Sequence, residues 1–207
     1  MIKLNKNHIQ KVSLLLSDAF DDNPLMIYFF EEEHIRKKVL PKIFTIVANS
    51  MMIIGDVYAT SENIEGVIGL RRPNKTKSNF TLYPQLIKNI SLGLTTLPYI
   101  LSKNTILKIK NMNIYGYPKE YKNCFTIEMV AVDKNHRGRK FMSKMVRFCL
   151  DEVNKNNGIC LLQTETEINC KKYEHLGFSL LNKSETVSNR VYSYTLIYDS
   201  KYKITKQ

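Results

Sequence analysis

Hydrophobic positions along the chain follow two spacings, one typical of helices and the other of strands. Apolar residues recur every three or four positions after Asn5, around 31–51 and over 140–156, which predicts three helices. Short apolar or alternating runs predict strands at 1–4, 56–60, 65–72, 124–132, 159–165, 178–185 and 190–198. A shorter helix is predicted at 169–176, closed by Gly177.

Residues with known capping preferences mark the ends of these helices. Asn5 is suited to cap the first helix, and the sequence DDNP at 21–24 stops it. Pro41 lies inside the helix predicted over 31–51, which predicts a kink or two shorter helices. Gly158 is suited to the left-handed position that follows the 140–156 helix.

Residues 73–123 interrupt the succession of strands. They are rich in Lys and Asn and have helix-like apolar spacing, which predicts a mainly helical insertion within a single domain spanning 1–207. The remainder of the chain runs strand–helix–strand–helix–strand–strand. This order predicts an α/β or α+β layered sheet.

The charge is strongly positive and uneven. The chain has 31 Lys and Arg against 19 Asp and Glu, a net charge of +12. The first 60 residues are balanced, whereas 61–123 holds ten basic and three acidic side chains. A basic chain suggests nucleic acid, anionic lipid or a multiply phosphorylated small molecule as partner, and a solvated basic surface is the plain alternative.

The cysteines and the apolar runs exclude several classes of protein. The cysteines, Cys124, Cys149, Cys160 and Cys170, form no CxxC pair and have no His at metal spacing, so we expect reduced thiols and no metal site. No apolar run reaches the roughly 18 residues of a membrane span, and the N-terminus is too polar for a signal peptide. We therefore expect a cytoplasmic protein that does not associate with membranes.

The segment VDKNHRGRKF at 132–141 packs cations around Gly138, directly before a helix. A helix N-terminus has unpaired N–H groups and a partial positive charge, and a glycine lets the backbone close on a phosphate. The segment is neither a P-loop nor a dinucleotide fingerprint. It predicts a pyrophosphate site built from backbone amides, with a basic turn in solvent as the alternative.

A second motif, NCKKYEHLGF at 169–178, follows this loop. With LLQTE at 161–165, the two motifs resemble the GCN5-related N-acetyltransferase (GNAT) superfamily, whose core joins a glycine-rich loop, a helix, a strand and an N-x-x-x-Y-x-x-x-G-F motif. AFDDNP at 19–24 is also similar to the front of that family. The resemblance covers nearly the whole chain, least well over 73–123. It implies a mixed, mostly antiparallel sheet of about seven strands, splayed between strands four and five and flanked by helices.

The resemblance also implies a binding site for acetyl-CoA where the strands 124–132 and 159–165 splay apart. In the family, the end of strand four pairs with the pantetheine arm, the loop amides hold the pyrophosphate, and the last motif supplies an Asn and a Tyr. The residues implied are Met129, Val130, Ala131, Val132, Arg137, Gly138, Arg139, Lys140, Phe141, Met142, Ser143, Asn169 and Tyr173.

The chain departs from the family pattern at three points. Lys140 and Met142 stand where the family has glycines; their amides can still bind an anion provided that φ stays negative, although a Cβ atom narrows the approach. Gln163 stands where the family frequently has a Glu, so no carboxylate is available at that point of strand five.

Acetyl transfer to an amine needs a base, a polarised carbonyl and an acid for the departing thiolate. Tyr173 is the candidate acid, because an ordinary tyrosine pKa of about 10 exceeds the roughly 8.5 of a thiol. Glu128, on strand four near the splay, is the first candidate for the base, and Glu165 is the second. A packed tyrosine and exposed strand carboxylates are the structural alternatives.

These observations favour an N-acetyltransferase that moves an acetyl group from acetyl-CoA to a primary amine of a small molecule or peptide, by direct attack in a ternary complex. The alternatives are a non-catalytic acyl-CoA-binding protein of the same fold and a basic nucleic-acid-binding module, which is disfavoured because aromatic and basic residues are not interleaved on one face. The acceptor pocket is expected to border 73–123, whose charge favours neutral or acidic acceptors. The family's frequent dimers leave a homodimer open.

Overall fold

The computed structural model describes residues 1–73, 97–113, 116–187 and 190–202. Their strands form one seven-stranded sheet in the order β1-β2-β3-β4-β5-β7-β6. All neighbouring strands pair antiparallel except β4 and β5, which are parallel. The strands are β1 (Ile2–Lys3), β2 (Asp56–Ala59), β3 (Gly66–Arg71), β4 (Phe125–Val132), β5 (Ile159–Thr164), β6 (Ser179–Val187) and β7 (Val191–Asp199). The predicted fold class is confirmed.

The helices flank this sheet. In the described part of the chain they are α1 (Ile9–Ala19), α2 (Pro24–Phe29), α3 (Glu33–Ile54), α4 (Leu97–Ile100), α5 (Lys103–Lys110), α6 (Phe141–Lys155) and α7 (Glu167–Glu174). Much of the predicted insertion, residues 74–96, lies outside the described residues; α4 and α5 belong to the rest of it. None of the described helices combines the length and the apolarity needed to cross a membrane.

Two hydrophobic cores cover the two faces of the sheet. One core joins the sheet to α1 and α3, and its members from these helices include Val12, Leu16, Val39, Phe44 and Ala48. The other joins the sheet to α6 and α7, through Met145, Cys149, Val153, Cys170 and Tyr173. The helical spacing of these buried side chains is the reason that the sequence pattern predicted α1, α3 and α6.

A bulge in β4 changes the face of the sheet to which its side chains point. The register against β3 shifts so that Glu128 becomes an extra residue between Ile127 and Met129. In a regular strand, residues two apart share one face. Here Ile127 belongs to the core under α6, whereas Met129 belongs to the core under α1 and α3.

The bulge is also the point where β4 and β5 separate. Their parallel pairing runs from Phe125 opposite Cys160 to Ile127 opposite Leu162, and it does not continue past the bulge. Beyond this point β4 keeps its pairing with β3, and none of the described strands pairs with its other side. The predicted splay between the fourth and fifth strands is therefore present.

The expectation of two shorter helices around Pro41 is wrong, since α3 runs without interruption from Glu33 to Ile54, and the kink stays a prediction. A proline removes one helical N–H and crowds the preceding turn. Buried side chains on both sides of it, Val39 and Phe44 among them, hold the helix against the sheet and offset that cost.

The DDNP segment starts a helix as well as ending one, which the sequence analysis missed. α1 ends before it, and α2 begins within it at Pro24. The Asn23 side chain caps α2 by accepting hydrogen bonds from the amides of Leu25 and Met26, at 2.9 and 3.4 Å. Asn followed by Pro is the pattern of a cap and a first helical residue.

The left-handed residue after α6 is Asn157, with a φ of 48°, and not Gly158 as expected. Asn tolerates this conformation better than most residues. Gly158 serves a different purpose, because a Cβ at this position would approach the ring of Phe125 to 3.0 Å. The glycine is required there for close packing and not for its φ.

Arg72, which follows β3, joins three elements through its guanidinium group. It forms ion pairs with Asp56 of β2 and Glu152 of α6, and the second of these is bidentate. It also donates to the Tyr58 hydroxyl at 3.0 Å. Lys3 of β1 pairs with Asp56 at 2.7 Å. This network fixes the end of α6 to the edge of the sheet that lies away from the splay.

We expect Arg72→Met to lower the free energy of unfolding by about 2–3 kcal/mol, because it leaves two carboxylates without their main partner in a mostly buried site. Urea denaturation measures the change. Lys37→Met is the matched control, since the Lys37–Glu33 pair is exposed and its loss should change stability far less. Equal losses in the two variants would contradict a structural role for the network.

Candidate functional site

A cleft of about 1280 Å³ opens where β4 and β5 part. Its walls are the α1–α2 connection, the end of β4, the loop 133–140, the first turns of α6, and α7. Such a volume is generous for a small-molecule site, and it suits an elongated ligand. Eleven of the predicted binding residues line it: Val130, Ala131, Val132, Arg137, Gly138, Lys140, Phe141, Met142, Ser143, Asn169 and Tyr173.

Four of the predicted site residues are not part of the lining, and the second candidate base, Glu165, is one of them. Met129 has its side chain in the core under α1 and α3. Glu128 is turned outward at the bulge, and the side chain of Arg139 is exposed. Backbone roles for Met129 and Arg139 in binding stay predictions.

The loop before α6 is shaped by Asp133. Its carboxylate caps the short 3₁₀ turn Lys134–His136 by accepting from the amide of Asn135 at 2.8 Å. His136 Nδ1 lies 3.3 Å from the same oxygen. These contacts, with the backbone hydrogen bond foremost, lower the pKa of Asp133 below its ordinary value. The turn leads into the segment that contains Gly138, which lines the cleft.

Gly138 and Lys140, two of the last three residues of the loop, take left-handed conformations. Gly138 has a φ of 81°, and a Cβ on it would meet no atom within 4 Å, so the cleft is open beside it. Lys140 has a φ of 61°, so the condition set above for its amide to bind an anion, a negative φ, is not met. Lys140 thus adopts the conformation that a glycine takes more readily. Met142 lies inside α6 and needs no such conformation.

The first turn of α6 presents unpaired N–H groups at the cleft. Lys140 provides no side-chain cap for them, and Phe141, Met142 and Ser143 all line the cleft. Helix N-termini with free amides attract anions. Such an arrangement suits a phosphate group, and the phosphate site stays a prediction.

Cations dominate the charge of the lining. They are Arg137, Lys140, Arg147, Lys171 and Lys172, against one carboxylate among the described lining residues, that of Asp22. Asp22 lies 3.8 Å from Arg137, with both side chains about half exposed, so this pair is weak. The cleft should therefore attract a multiply charged anion.

Tyr173 stands on α7 against the cleft and is buried. Its ring packs edge-on against Phe178 with the centroids 6.0 Å apart, and its hydroxyl makes no hydrogen bond within the described residues. Burial raises its pKa above the ordinary value, and the nearby carboxylate of Glu165 adds to this rise. The phenol therefore holds its proton firmly.

Glu128 is engaged in an ion pair with Arg71 of β3. Arg71 Nε donates to Glu128 Oε1 at 2.7 Å, and the same guanidinium donates to Thr126 Oγ1 at 2.8 Å. Tyr117 lies close by: burial raises its pKa, and the charges of Glu128 and Glu165 add to the rise. The two carboxylates and this ring therefore share one region at the opening between β4 and β5.

The α1–α2 connection is the part of the site that sequence reasoning missed. Ala19, Phe20, Asp22 and Asn23 line the cleft, and Asn23 Nδ2 donates to Glu165 Oε2 at 3.1 Å. The segment AFDDNP had been recognised as similar to the GNAT family, but none of its side chains had been assigned to the site. Its Asn-Pro helix start was the signal that could have placed a helix end at the cleft.

The fold was compared with solved structures. The chain is similar to a structure described as histone acetyltransferase HPA2 and related acetyltransferase from Corynebacterium glutamicum, with 14% identity, a TM-score of 0.67, and coverage of 96% of this chain and 94% of that one. It is also similar to an N-acetyltransferase from Staphylococcus aureus, with 16% identity, a TM-score of 0.57, and coverage of 93% and 96%. At these identities, the likeness shows a shared fold.

The sequence was compared with family models as well. Residues 112–178 match the model described as the acetyltransferase (GNAT) family. This segment contains β4, the loop 133–140, α6, β5 and α7, which together form most of the cleft. A search of curated proteins found no match. The predicted resemblance to the GNAT family is confirmed over this segment, and over the rest of the chain the likeness is one of fold.

The left-handed conformation of Lys140 can be tested by paired substitutions. Lys140→Gly and Lys140→Ala both remove the charge, but alanine keeps the strain that a Cβ causes at positive φ. We expect the glycine variant to be more stable than the alanine variant by about 1 kcal/mol, after the entropy that glycine adds to the unfolded chain. Urea denaturation measures both. A more stable alanine variant would show that the residue is not left-handed in solution.

Proposed function

We propose that the protein is an acetyl-CoA-dependent N-acetyltransferase that acetylates a primary amine of a small molecule or peptide by direct attack in a ternary complex. One observation carries this proposal: the cleft at the parting of β4 and β5 has the unpaired amides of α6 and Tyr173 in one continuous lining. A phosphorylated, elongated thioester matches both in chemistry.

The residues present fit CoA. The amides at the start of α6, with Arg137 and Lys140 beside them, would hold the pyrophosphate. Past the bulge, the edge of β4 that faces β5 pairs with none of the described strands, so backbone groups of Val130 and Val132 are available to the amides of the pantetheine arm. Asn169 lies on the opposite wall of the cleft, where a side-chain contact with the cofactor is feasible.

Tyr173 is proposed as the acid that protonates the departing thiolate. Its pKa is raised above the ordinary value by burial and then by Glu165. A group with a raised pKa stays protonated throughout the range in which a thiol of pKa about 8.5 loses its proton. Tyr173 is therefore protonated when sulfur departs, and its hydroxyl has no hydrogen bond within the described residues. Because the raised pKa also makes the phenolate a stronger base than the thiolate, Tyr173 can give its proton to sulfur only as it regains one from the acylated nitrogen.

Glu128 is the first candidate for the base, and its contacts affect how readily it could take a proton. It could take a proton only by weakening its ion pair with Arg71, which is a permanent cation. Glu165 has no such partner in the described residues, so the choice between the two carboxylates depends on their contacts.

The acceptor is proposed to enter on the side covered by the described part of the insertion. Lys108 pairs with Glu31 at 2.8 Å, and the amide of Asn113 donates to Thr186 at 2.9 Å. Tyr117 lies near both candidate carboxylates. The described residues of 97–113 and 116–123 therefore border the opening on the side away from the start of α6, which supports an acceptor pocket in that region.

We expect CoA and acetyl-CoA to raise the melting temperature by about 5–10 °C at a hundred times Kd, and ATP to raise it much less. Arg137→Gln should reduce the shift because Arg137 lines the cleft. Arg139→Gln is the matched control, two residues away and outside the lining. Differential scanning fluorimetry gives the shifts. No shift with millimolar CoA would contradict the proposed cofactor.

We expect Tyr173→Phe to retain the CoA-induced shift and to lower turnover by about 100-fold, because it removes an acid without removing the ring. Turnover is followed by chromatography of released CoA from acetyl-CoA and a panel of primary amines, since the partly accessible Cys124 thiol would interfere with thiol reagents. Because the pKa of Tyr173 is raised, the wild-type rate should show no loss due to this residue below about pH 10. Unchanged turnover in the variant would assign Tyr173 to packing alone, and absence of turnover in the wild type would favour a non-catalytic acyl-CoA-binding protein.

A further inference from the structure

Glu165 lies at the junction of β5 and α7, on the opposite side of the opening from Glu128. Asn23 reaches it from the α1–α2 connection, 142 positions away in sequence, and donates to it at 3.1 Å. Because Asn23 also lines the cleft, this contact ties Glu165 to the cleft's edge.

The orientation of the Asn23 side chain is set by its role as a helix cap. Its Oδ1 accepts from the amides of Leu25 and Met26, at 2.9 and 3.4 Å. Only its NH₂ group is then left to face Glu165. A neutral donor of this kind holds a carboxylate in place without neutralising its charge, whereas Arg71 neutralises Glu128.

Two tyrosines lie near Glu165, and neither brings a charge that would compete for it. Tyr173 on α7 and Tyr117 before β4 both have a pKa that the negative charge of Glu165 helps to raise, after the larger effect of burial. The neighbouring carboxylate, Glu167, is exposed and pairs with Lys171 at 2.9 Å. In the part of the chain that the structure describes, Glu165 has no salt-bridge partner, so its charge is available to a ligand.

We propose that Glu165, positioned by Asn23, receives the acceptor amine as an ammonium ion and removes one of its protons. The proposal rests on the proposed acetyltransferase function and narrows the acceptor to amines that are protonated at neutral pH, such as alkylamines. Asn23 is a positioning residue, and Glu165 is the group that touches the substrate.

The step balances as follows. The Glu165 carboxylate takes one proton from the ammonium group, and the freed lone pair of nitrogen forms a bond to the thioester carbonyl carbon. The carbon–sulfur bond breaks, and its electron pair leaves with sulfur. Tyr173 gives sulfur a proton and regains one from the acylated nitrogen. The products are an amide and CoA as free thiol, and Glu165 releases its proton to solvent.

The test uses CoA derivatives, so that it does not depend on knowing the acceptor. S-(2-aminoethyl)-CoA carries an ammonium group close to the position of the attacking nitrogen, and S-propyl-CoA is its neutral counterpart. Isothermal titration of the whole protein gives the affinity for each. We expect the wild type to prefer the ammonium compound roughly tenfold, as a charge-assisted hydrogen bond would.

Substitutions at Glu165 and Glu128 show which of these two carboxylates binds the ammonium group. Glu165→Gln should abolish the preference, while Glu167→Gln, the same change two residues away, should keep it. Glu128→Gln should keep it too. Loss of the preference in Glu128→Gln and its retention in Glu165→Gln would overturn the proposal, as would a wild type without any preference.

Asn23→Ser tests the positioning role, because serine still caps α2 but cannot reach Glu165 with an amide. We expect a normal melting temperature and a preference reduced severalfold. An undiminished preference would remove Asn23 from the proposal. With any amine that turns over, Glu165→Gln should lower kcat/KM by about 100-fold and Glu167→Gln by less than about twofold.

Binding of unmodified CoA shows which proposal has failed, the acetyltransferase function or the role of Glu165. If CoA itself does not bind, the proposed acetyltransferase function fails, and the proposal about Glu165 fails with it. If CoA and S-propyl-CoA bind but the ammonium group gives no advantage, the proposed function stands and the assignment of Glu165 is wrong. A melting curve of each variant shows whether a loss of binding reflects unfolding.

Discussion

The parting of β4 from β5 is the constraint on which the site depends. Parallel pairing ends after Ile127 and Leu162, at the bulge that makes Glu128 an extra residue. Paired strands would satisfy their own backbone groups and leave no gap. The bulge lets the two strands diverge while β4 stays bonded to β3, so that one edge of β4 pairs with no described strand within a rigid sheet.

The charged and polar groups on the two sides of this gap determine which ligands the cleft attracts. The loop and the start of α6 supply amides and cations, which suit a phosphorylated ligand. The other side holds carboxylates, with Glu128 neutralised by Arg71 and Glu165 held by an amide. The site therefore separates a region that attracts anions from a region that attracts cations. A reaction between a phosphorylated thioester and a cationic amine needs this separation.

Local signals in the sequence were enough to predict the sheet, the amphipathic helices and the loop. The spacing of Met145, Cys149 and Val153 predicted α6, and Gly177 was correctly expected to close α7, with a φ of 98°. Motif resemblance placed Tyr173 at the cleft. These features depend on residues close together along the chain, which a sequence pattern records directly.

Features set by tertiary contacts were not predictable in the same way. The continuity of α3 through Pro41 depends on packing against the sheet, and the need for Gly158 comes from the ring of Phe125. The bulge at Glu128 shows only when the faces of Ile127 and Met129 are compared in the folded sheet. Lys140 adopts a conformation that its residue type disfavours, which indicates that the surrounding loop imposes it.

Asn23 shows how one residue can serve stability and function together. As the cap of α2 it satisfies amides that would otherwise lack partners, and this role fixes which end of its side chain faces the cleft. Only because the cap uses the oxygen does the NH₂ group point to Glu165. The residue that caps α2 therefore also holds in place a carboxylate that is far away in sequence. Selection for the cap alone would accept Ser or Asp equally well, so it is the contact with Glu165 that gives Asn at this position its particular value.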